Sequence, residues 1–199
     1  MYDFVFENEL KKSQECKPAI EPFLQHAFGT TNLKVATTQE DINGIDYWAT
    51  ISPTSKYSID LKSREKDYGN NDVALELISK MNGCNKIGWT LDLKKQTDYI
   101  LFFWRDTKRK VLFPFPILRK VFMDNKDYWM KKYEDNIKIQ NTLDKNTGEV
   151  LWRSQCIFIP LKLLWEKLKE YSVDVSDNCP ELHKAIEHKN LMCWWENDK

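Results

Sequence analysis

The stretch IDYWATISPTSKYSIDLKS, residues 45–63, decides the fold of this chain, because its second half alternates apolar and polar side chains. Alternate residues share a side: Tyr57, Ile59 and Leu61 on one, and Ser58, Asp60 and Lys62 on the other. A period of two predicts a β-strand with one apolar and one polar face. Residues 45–51 form a second predicted strand, and the turn SPTSK takes the five residues between them. Two strands joined by so short a loop predict an antiparallel hairpin.

Outside this hairpin, apolar periodicity predicts helices and strands along the rest of the chain. Helices are predicted over residues 4–28, 116–134, 160–171 and near 180–190, strands from residue 33 and over 73–79, 97–104 and 108–115, and a second hairpin over 136–159. Pro18 and Pro22 predict a kink in the first helix or a break near Cys16, and Gly29 is its predicted cap. The elements predict a single α/β (α+β) domain over residues 1–199, with helices flanking a central mixed sheet.

The composition limits the classes of function. Lys plus Arg number 30 and Asp plus Glu also number 30, so the formal net charge is zero. A chain without a net positive charge binds nucleic acid only through local clusters of basic residues. A hydrophobic fraction of 42% argues against disorder, and no apolar run approaches the roughly 20 residues of a membrane span. The first residues lack the apolar core of a signal peptide, which predicts a cytoplasmic protein without a membrane partner.

The five cysteines predict reduced thiols, because their number is odd and no signal peptide precedes them. A C-terminal group, Cys179, His183, His188 and Cys193, contains ligand types that bind zinc. Its spacing fits no standard zinc pattern, since His188 is rotated off the helical face of the first two residues. A small packed helical unit is therefore the preferred interpretation of this segment.

The polar face of the first hairpin carries a candidate for chemistry. If residues 52–56 form the turn, Trp48 faces Asp60 and Asp46 faces Lys62 across the pair. Asp46 and Asp60 are then diagonal neighbours, with Cα atoms about 7–8 Å apart. Two carboxylates at that range can share a divalent cation, and the ammonium of Lys62 can orient a water or stabilise charge on a phosphate. The opposite interpretation is an ordinary half-exposed strand with solvated charges.

GID and IDLKS resemble the signature of the PD-(D/E)XK nuclease superfamily, in its resolvase-like and phage-type members. The signature is an acidic residue at the end of one strand and (D/E)-x-K on the next, and Ile45 stands where the superfamily name has proline. The resemblance covers about residues 4–105. It implies a restriction-endonuclease-like core over about 4–115, with a C-terminal hairpin and helices over about 116–199 as an elaboration.

The resemblance also implies metal-dependent cleavage of phosphodiester bonds. Asp46 and Asp60 would bind Mg²⁺ or Mn²⁺, and Lys62 would position the attacking water. Members often add a glutamate from the first helix. Glu15 and Glu21 are the candidates here, and Glu15 is the preferred one.

Weaker candidates surround this motif. Glu76 lies on the polar parity of the next predicted strand, where it would complete the metal shell, assist catalysis or pair with Lys62. Polar and basic residues that would contact DNA phosphates are Ser63, Arg64, Lys108, Arg109 and Lys110, with a further pair at Lys131 and Lys132. A solvated turn and a solvated helix end are the alternatives for the two basic clusters.

The leading hypothesis is therefore a Mg²⁺-dependent deoxyribonuclease of bacterial or phage DNA repair, recombination or processing. One alternative is a non-catalytic nucleic-acid-binding protein that keeps the same fold. Another is a protein-interaction module, which the neutral charge would suit. DNA is the predicted partner, the cell is bacterial or phage-infected, and a homodimer is one of the oligomeric states that the sequence leaves open.

Overall fold

The computed structural model describes residues 3–81, 85–95, 97–144, 147–178 and 195–196. In chain order the elements are α1 (Asp3–Phe28), β1 (Leu33–Val35), α2 (Thr38–Ile42), β2 (Tyr47–Ser52), β3 (Ser55–Arg64), β4 (Asp72–Lys80), β5 (Lys86–Ile87), β6 (Tyr99–Trp104), β7 (Lys110–Pro114), α3 (Phe115–Lys132), β8 (Ile137–Leu143), β9 (Val150–Pro160), α4 (Leu161–Asn178) and β10 (Trp195–Glu196). The Cys179–His183–His188–Cys193 group and the helix predicted near residues 180–190 lie outside the described residues. None of the described helices is long and apolar enough to cross a membrane.

The predicted α/β class is confirmed, with a central mixed sheet and flanking helices. Its six strands lie in the order β1-β2-β3-β6-β7-β10. The β2–β3 and β6–β7 pairs are antiparallel, whereas β3 and β6 run parallel. All six residues of β6 are buried, as a continuous apolar run predicts for an inner strand.

The first helix packs on one face of this sheet. Its buried residues recur at helical spacing and join strand residues in one core: Cys16, Ile20, Phe23, Leu24, Ala27 and Phe28 from α1, with Tyr47, Ala49, Ile59, Tyr99, Leu101, Phe103 and Leu112. The helix runs through Pro18 and Pro22 without a break in its assigned range. Gly29 ends it with φ of +61°, a left-handed conformation that favours glycine, and Thr30 N–H donates to Gln25 O at 3.0 Å.

The chain divides into two compact units. The first unit draws on Met1–Asp67, Thr97–Pro114 and Asn190–Lys199, and the second on Tyr68–Gln96 and Phe115–Lys189. The segment between β3 and β6 therefore belongs with the C-terminal half of the chain.

The second unit has its own antiparallel sheet, in the order β5-β4-β9-β8. This sheet confirms two predictions. The strand predicted over residues 73–79 is β4, and the hairpin predicted over 136–159 is formed by β8 and β9. Helices α3 and α4 contact each other in this unit. Gly88 is required by packing, because a Cβ at this position would lie 2.2 Å from the backbone oxygen of Glu76.

Candidate active site

Asp46 is fixed immediately before β2 by backbone hydrogen bonds on three sides. Its N–H donates to Ile59 O at 2.8 Å, and its own carbonyl accepts from Ala36 N at 2.9 Å. Its side-chain Oδ2 accepts from Leu61 N at 2.6 Å. The carboxylate is therefore held against β3 between the two neighbours of Asp60.

The register of the hairpin differs from the predicted one by two residues. Trp48 faces Ser58 rather than Asp60, and Ser52 pairs with Ser55, so only two residues form the turn. A register shift at Ile51 lets the strands continue closer to the turn than the predicted five-residue loop allowed. Because the shift is an even number of residues, every side chain lies on its predicted face of the sheet. In the observed register Asp46 lies beside Asp60, whereas the predicted register placed it opposite Lys62.

Asp60 and Lys62 form a close ion pair on β3. The Lys62 Nζ atom lies 2.7 Å from Asp60 Oδ1. Side chains two apart on a strand share a face, so this contact follows from the predicted alternation. The side chain of Asp60 is only 3% exposed and that of Lys62 26% exposed. The alternative of an ordinary strand with solvated charges therefore does not hold for Asp60, and Lys62 compensates a carboxylate that is buried.

The protonation of Asp46 is altered by its burial and by the nearby charge of Asp60. Burial, followed by the charge of Asp60, raises the pKa of Asp46 to about 7. The hydrogen bond from Leu61 N and the charge of Lys62 oppose this rise without cancelling it. One lysine is thus too little positive charge for the two carboxylates near neutral pH.

A shell of hydrogen bonds that the sequence did not indicate supports this region. Thr97 Oγ1 donates to Gly44 O at 2.7 Å and ties the segment before β6 to the segment before β2. Asp98 Oδ2 accepts from both the N–H and the hydroxyl of Ser58, at 2.8 and 2.7 Å. In return, Asp98 N–H donates to Ser58 Oγ at 3.0 Å. The only sequence signal was polar residues directly before the apolar run of β6.

The donor set is compatible with a magnesium ion held by two carboxylates. Within the described part of the chain, no group of three or more His, Cys, Asp or Glu residues is placed to hold a metal. Leu61 N–H donates to Asp46 Oδ2, and Lys62 Nζ donates to Asp60 Oδ1. Mg²⁺ prefers oxygen ligands and keeps several waters, so two protein ligands suffice for it.

The glutamates predicted around the site are placed differently from one another. Glu15 is exposed on α1, whereas Glu21 is half-buried and its charge acts on the hydroxyl of Tyr47, the neighbour of Asp46. The preference for Glu15 over Glu21 therefore has no support in this geometry. Glu76 lies on β4 in the sheet of the second unit, where its Oε2 accepts from Trp89 N at 3.2 Å. Glu76 lies on the next strand along the chain, as predicted, but that strand is in a different sheet from Lys62, because β3 pairs with β2 and β6.

The three adjacent cations predicted to follow DNA do not form one surface. Lys108 is exposed, but Lys110 is only 5% exposed. The guanidinium carbon of Arg109 lies 3.9 Å from the centroid of the Trp104 ring, and its Nε atom lies 3.0 Å from Asp67 Oδ2. The prediction of a three-residue phosphate-contacting cluster is therefore wrong, because a strand begins at Lys110 and draws two of the three side chains inward.

The remaining candidates for phosphate contacts are on accessible parts of their elements. Ser63 is exposed and Arg64 half-buried near the end of β3, and Lys131 and Lys132 are exposed at the end of α3. Arg64 shares the face of Lys62 by strand alternation. Comparison of the chain with protein-family models, with curated proteins and with solved structures found no match.

Proposed function

We propose that the protein is a Mg²⁺- or Mn²⁺-dependent nuclease that hydrolyses phosphodiester bonds of DNA. The observation that carries the proposal is the fixed position of the Asp46 carboxylate beside Asp60, with Lys62 Nζ 2.7 Å from Asp60. A carboxylate with a raised pKa, close to a second carboxylate and an ammonium, is typical of sites that handle charged substrates. The cytoplasm of a bacterial or phage-infected cell is the corresponding location.

Asp46 Oδ1 and Asp60 Oδ2 would hold the ion, because the other oxygen of each carboxylate already accepts a hydrogen bond. A bound divalent ion polarises a phosphate oxygen and lowers the pKa of a water that it binds. Leu61 N–H keeps the Asp46 carboxylate from turning away, so the ligand geometry is set before the substrate arrives. Such preorganisation avoids a reorganisation cost at the moment of reaction.

Lys62 is the residue that would meet the substrate. Its ammonium is partly exposed, whereas the aspartate that holds it is buried. An ammonium in this position stabilises negative charge that develops on a phosphate and orients a water by donating to other acceptors. Arg64, on the same strand face, would contact an adjacent phosphate.

A non-catalytic nucleic-acid-binding protein or a protein-interaction module with the same fold is the second candidate. The close Lys62–Asp60 pair favours it, because a purely structural ion pair would have the same distance and burial. The described residues also supply only two carboxylates to the site. Neither observation requires a metal.

Plasmid nicking separates the two candidates. Supercoiled, linear double-stranded and single-stranded DNA are incubated with the protein in Mg²⁺, Mn²⁺ or EDTA. We expect metal-dependent cleavage by the wild type and loss of it in Asp46→Asn and Asp60→Asn. Asp124→Asn is the matched control, because it removes the charge of an exposed carboxylate paired with Lys120 elsewhere in the chain. Full cleavage by either site variant, or none by the wild type in both metals, would favour the second candidate.

A further inference from the structure

Trp48 lies half-buried on the same face of the central sheet as Asp60 and Lys62. It pairs directly with Ser58 of β3, and residues opposite each other on antiparallel strands point to the same face. Ser58, Asp60 and Lys62 alternate along β3, so they share this face with Trp48. Tyr47, the neighbour of Trp48 in β2, points the other way into the core beneath α1. The indole therefore lies on the side of the sheet that carries the candidate site.

A hydrogen bond fixes the orientation of the Trp48 ring. Its Nε1–H donates to Glu40 Oε1 at 2.9 Å. The other oxygen of Glu40 accepts from both the N–H and the hydroxyl of Thr37, at 2.7 Å each, so the glutamate is itself held in place. Because the indole has one donor and that donor is already used, the ring offers a ligand its aromatic surface rather than a hydrogen bond.

Two lysines lie beside Trp48, and the three residues Lys34, Trp48 and Lys56 are called the Trp48 patch below. Lys56 Nζ lies 4.1 Å from the centroid of the indole ring, and Lys34 is the direct partner of Trp48 on β1. Both lysines are exposed, and together they outnumber the carboxylate of Glu40. Proteins bind a single nucleic-acid strand with this combination, because cations neutralise phosphates while an aromatic ring stacks on a base.

We propose that the Trp48 patch binds an unpaired nucleotide of single-stranded DNA, next to the phosphate that is cleaved at Asp46 and Asp60. This inference deepens the proposed function and rests on it for the position of that phosphate. Trp48 lies two residues from Asp46, about 7 Å along an extended strand, and one extended nucleotide spans that distance. A base stacks on the indole only if its own face is accessible, and a duplex hides that face. The preferred substrate is therefore a single strand or a single-stranded tail.

Lys56 and Lys34 contribute to this binding through charge. A contact between an exposed ammonium and an aromatic ring is weak, so it is readily exchanged for a stronger one. When a base stacks on the indole, the long side chain of Lys56 can move from the ring to the adjacent phosphate. Contacts of lysines with phosphates weaken as salt rises, whereas stacking on Trp48 depends on an accessible base. The two contributions can therefore be measured separately.

Binding of a labelled oligothymidylate in Ca²⁺, which suppresses cleavage, tests the proposal, with a blunt-ended duplex as the comparison. Trp48→Leu removes the aromatic ring, and Trp48→Phe keeps a ring without the indole. Trp165→Leu is the matched control, because Trp165 is also half-buried and has a lysine over its ring, with Lys169 Nζ 4.9 Å from the centroid, but it lies on α4. The melting temperature of each variant is measured alongside.

We expect Trp48→Leu to bind the oligothymidylate about 5- to 50-fold more weakly than the wild type, which corresponds to the loss of one stacked base. Trp48→Phe should recover most of this affinity, and its tryptophan fluorescence should change less on binding than that of the wild type. Trp165→Leu should bind like the wild type, and no variant should lose affinity for the duplex.

The two lysines are tested by the salt dependence of single-strand binding. Lys56→Gln and Lys34→Gln should each make the slope of log affinity against log salt less steep by about 0.7, the contribution of one phosphate on a single strand. An unchanged slope in both variants would contradict the role of the patch in holding phosphates.

Wild-type affinity of Trp48→Leu for the single strand, or an equal loss for single-stranded and duplex DNA, would overturn the proposal. If Trp48→Leu does not fold, Trp48→Phe decides, and an undiminished fluorescence change on binding would overturn it. A wild type that cleaves DNA while Trp48→Leu binds single strands normally keeps the nuclease and removes the patch. A wild type that binds single strands through Trp48 but cleaves nothing in Mg²⁺ or Mn²⁺ keeps the patch and removes the nuclease.

Discussion

Asp46 forms hydrogen bonds to the backbone on both sides of Asp60: its N–H donates to Ile59 O and its carboxylate accepts from Leu61 N. The side chain therefore cannot swing away from Asp60 to relieve repulsion between the two charges. Because the geometry is rigid, the conflict is resolved by protonation or by a bound cation. Its consequences can be measured in the stability of the protein.

The first prediction concerns pH. The unfolded chain loses the Asp46 proton near pH 3.8 and the folded chain near pH 7, so between these values the folded state binds more protons. The contribution of Asp46 to stability is therefore present below pH 4 and is lost as pH rises through 7. We expect the free energy of unfolding, relative to that of Asp46→Asn, to fall by about 2–4 kcal/mol from pH 4 to pH 7.5.

Urea denaturation in EDTA across this range measures that difference, because Asn keeps an acceptor for Leu61 N while removing the charge. Parallel curves for the wild type and Asp46→Asn would show that Asp46 ionises normally in the folded protein.

The second prediction concerns the divalent ion. Mg²⁺ or Mn²⁺ at millimolar concentration should raise the melting temperature, because the ion relieves repulsion between the carboxylates and binds only the folded state. The rise should be larger at pH 8 than at pH 6, since the metal competes with the Asp46 proton. Thermal melts with and without metal at both pH values are sufficient, and Asp46→Asn should lose the response.

The third prediction concerns the stability of the Lys62→Ala variant. Without Lys62, the buried carboxylate of Asp60 lies near that of Asp46 with no positive charge to compensate it. We therefore expect a loss of about 1–3 kcal/mol in the free energy of unfolding. Lys167→Ala, which breaks a surface pair with Glu170 at the same 2.7 Å distance, should change it by less than about 0.5 kcal/mol.

Equal losses in these two lysine variants would contradict a special role for Lys62. Asp60→Asn combined with Lys62→Met should recover most of the stability, because neither charge then remains buried.

The fourth prediction separates Lys108 from Arg109 in DNA binding. Lys108 has φ of +58°, which is strained for a residue with a side chain, so Lys108→Gly removes the charge without destabilising the fold. If Lys108 contacts a phosphate, the slope of log affinity against log salt should become less steep by about 0.9. The wild-type slope itself should be modest, about −3 to −5.

Arg109→Ala is the contrasting variant. It should lower the free energy of unfolding by about 1–3 kcal/mol through loss of the Trp104 stacking and the Asp67 ion pair. DNA affinity is measured in Ca²⁺ to suppress cleavage. An unchanged slope in Lys108→Gly would remove Lys108 from the binding surface.

Local patterns predicted most elements and the alternation of side chains along β3 correctly. The side-chain direction of Asp60 and Lys62 depends only on alternation, so it survived an error of two residues in the register. The turn length did not follow from the pattern, because the irregularity at Ile51 leaves no compositional trace. Phe102 and its neighbours in β6 were predictable as buried, since a continuous apolar run has no polar face to expose.

Pairing over long sequence distances was not predictable. Glu76 lies on a strand that pairs with β9, some eighty residues later, and nothing local distinguishes this partner from β3. Burial of Lys110 was missed for a related reason. Its sequence neighbours are charged, whereas its environment is set by Phe23 of α1, whose ring centroid lies 5.9 Å from Lys110 Nζ.

The parallel pairing of β3 with β6 has a consequence for how the chain acquires its structure. The link between them, residues 65–98, carries β4 and β5 of the other sheet, so each unit is interrupted by part of the other. Contacts between residues that are distant in sequence form only after the chain between them closes into a loop, and the entropy cost of that closure slows folding. During synthesis, the hairpin that carries Asp46 and Asp60 emerges well before β6, so it gains the supporting contacts of Thr97 and Asp98 only later. Neither unit corresponds to a contiguous fragment that could be expressed alone.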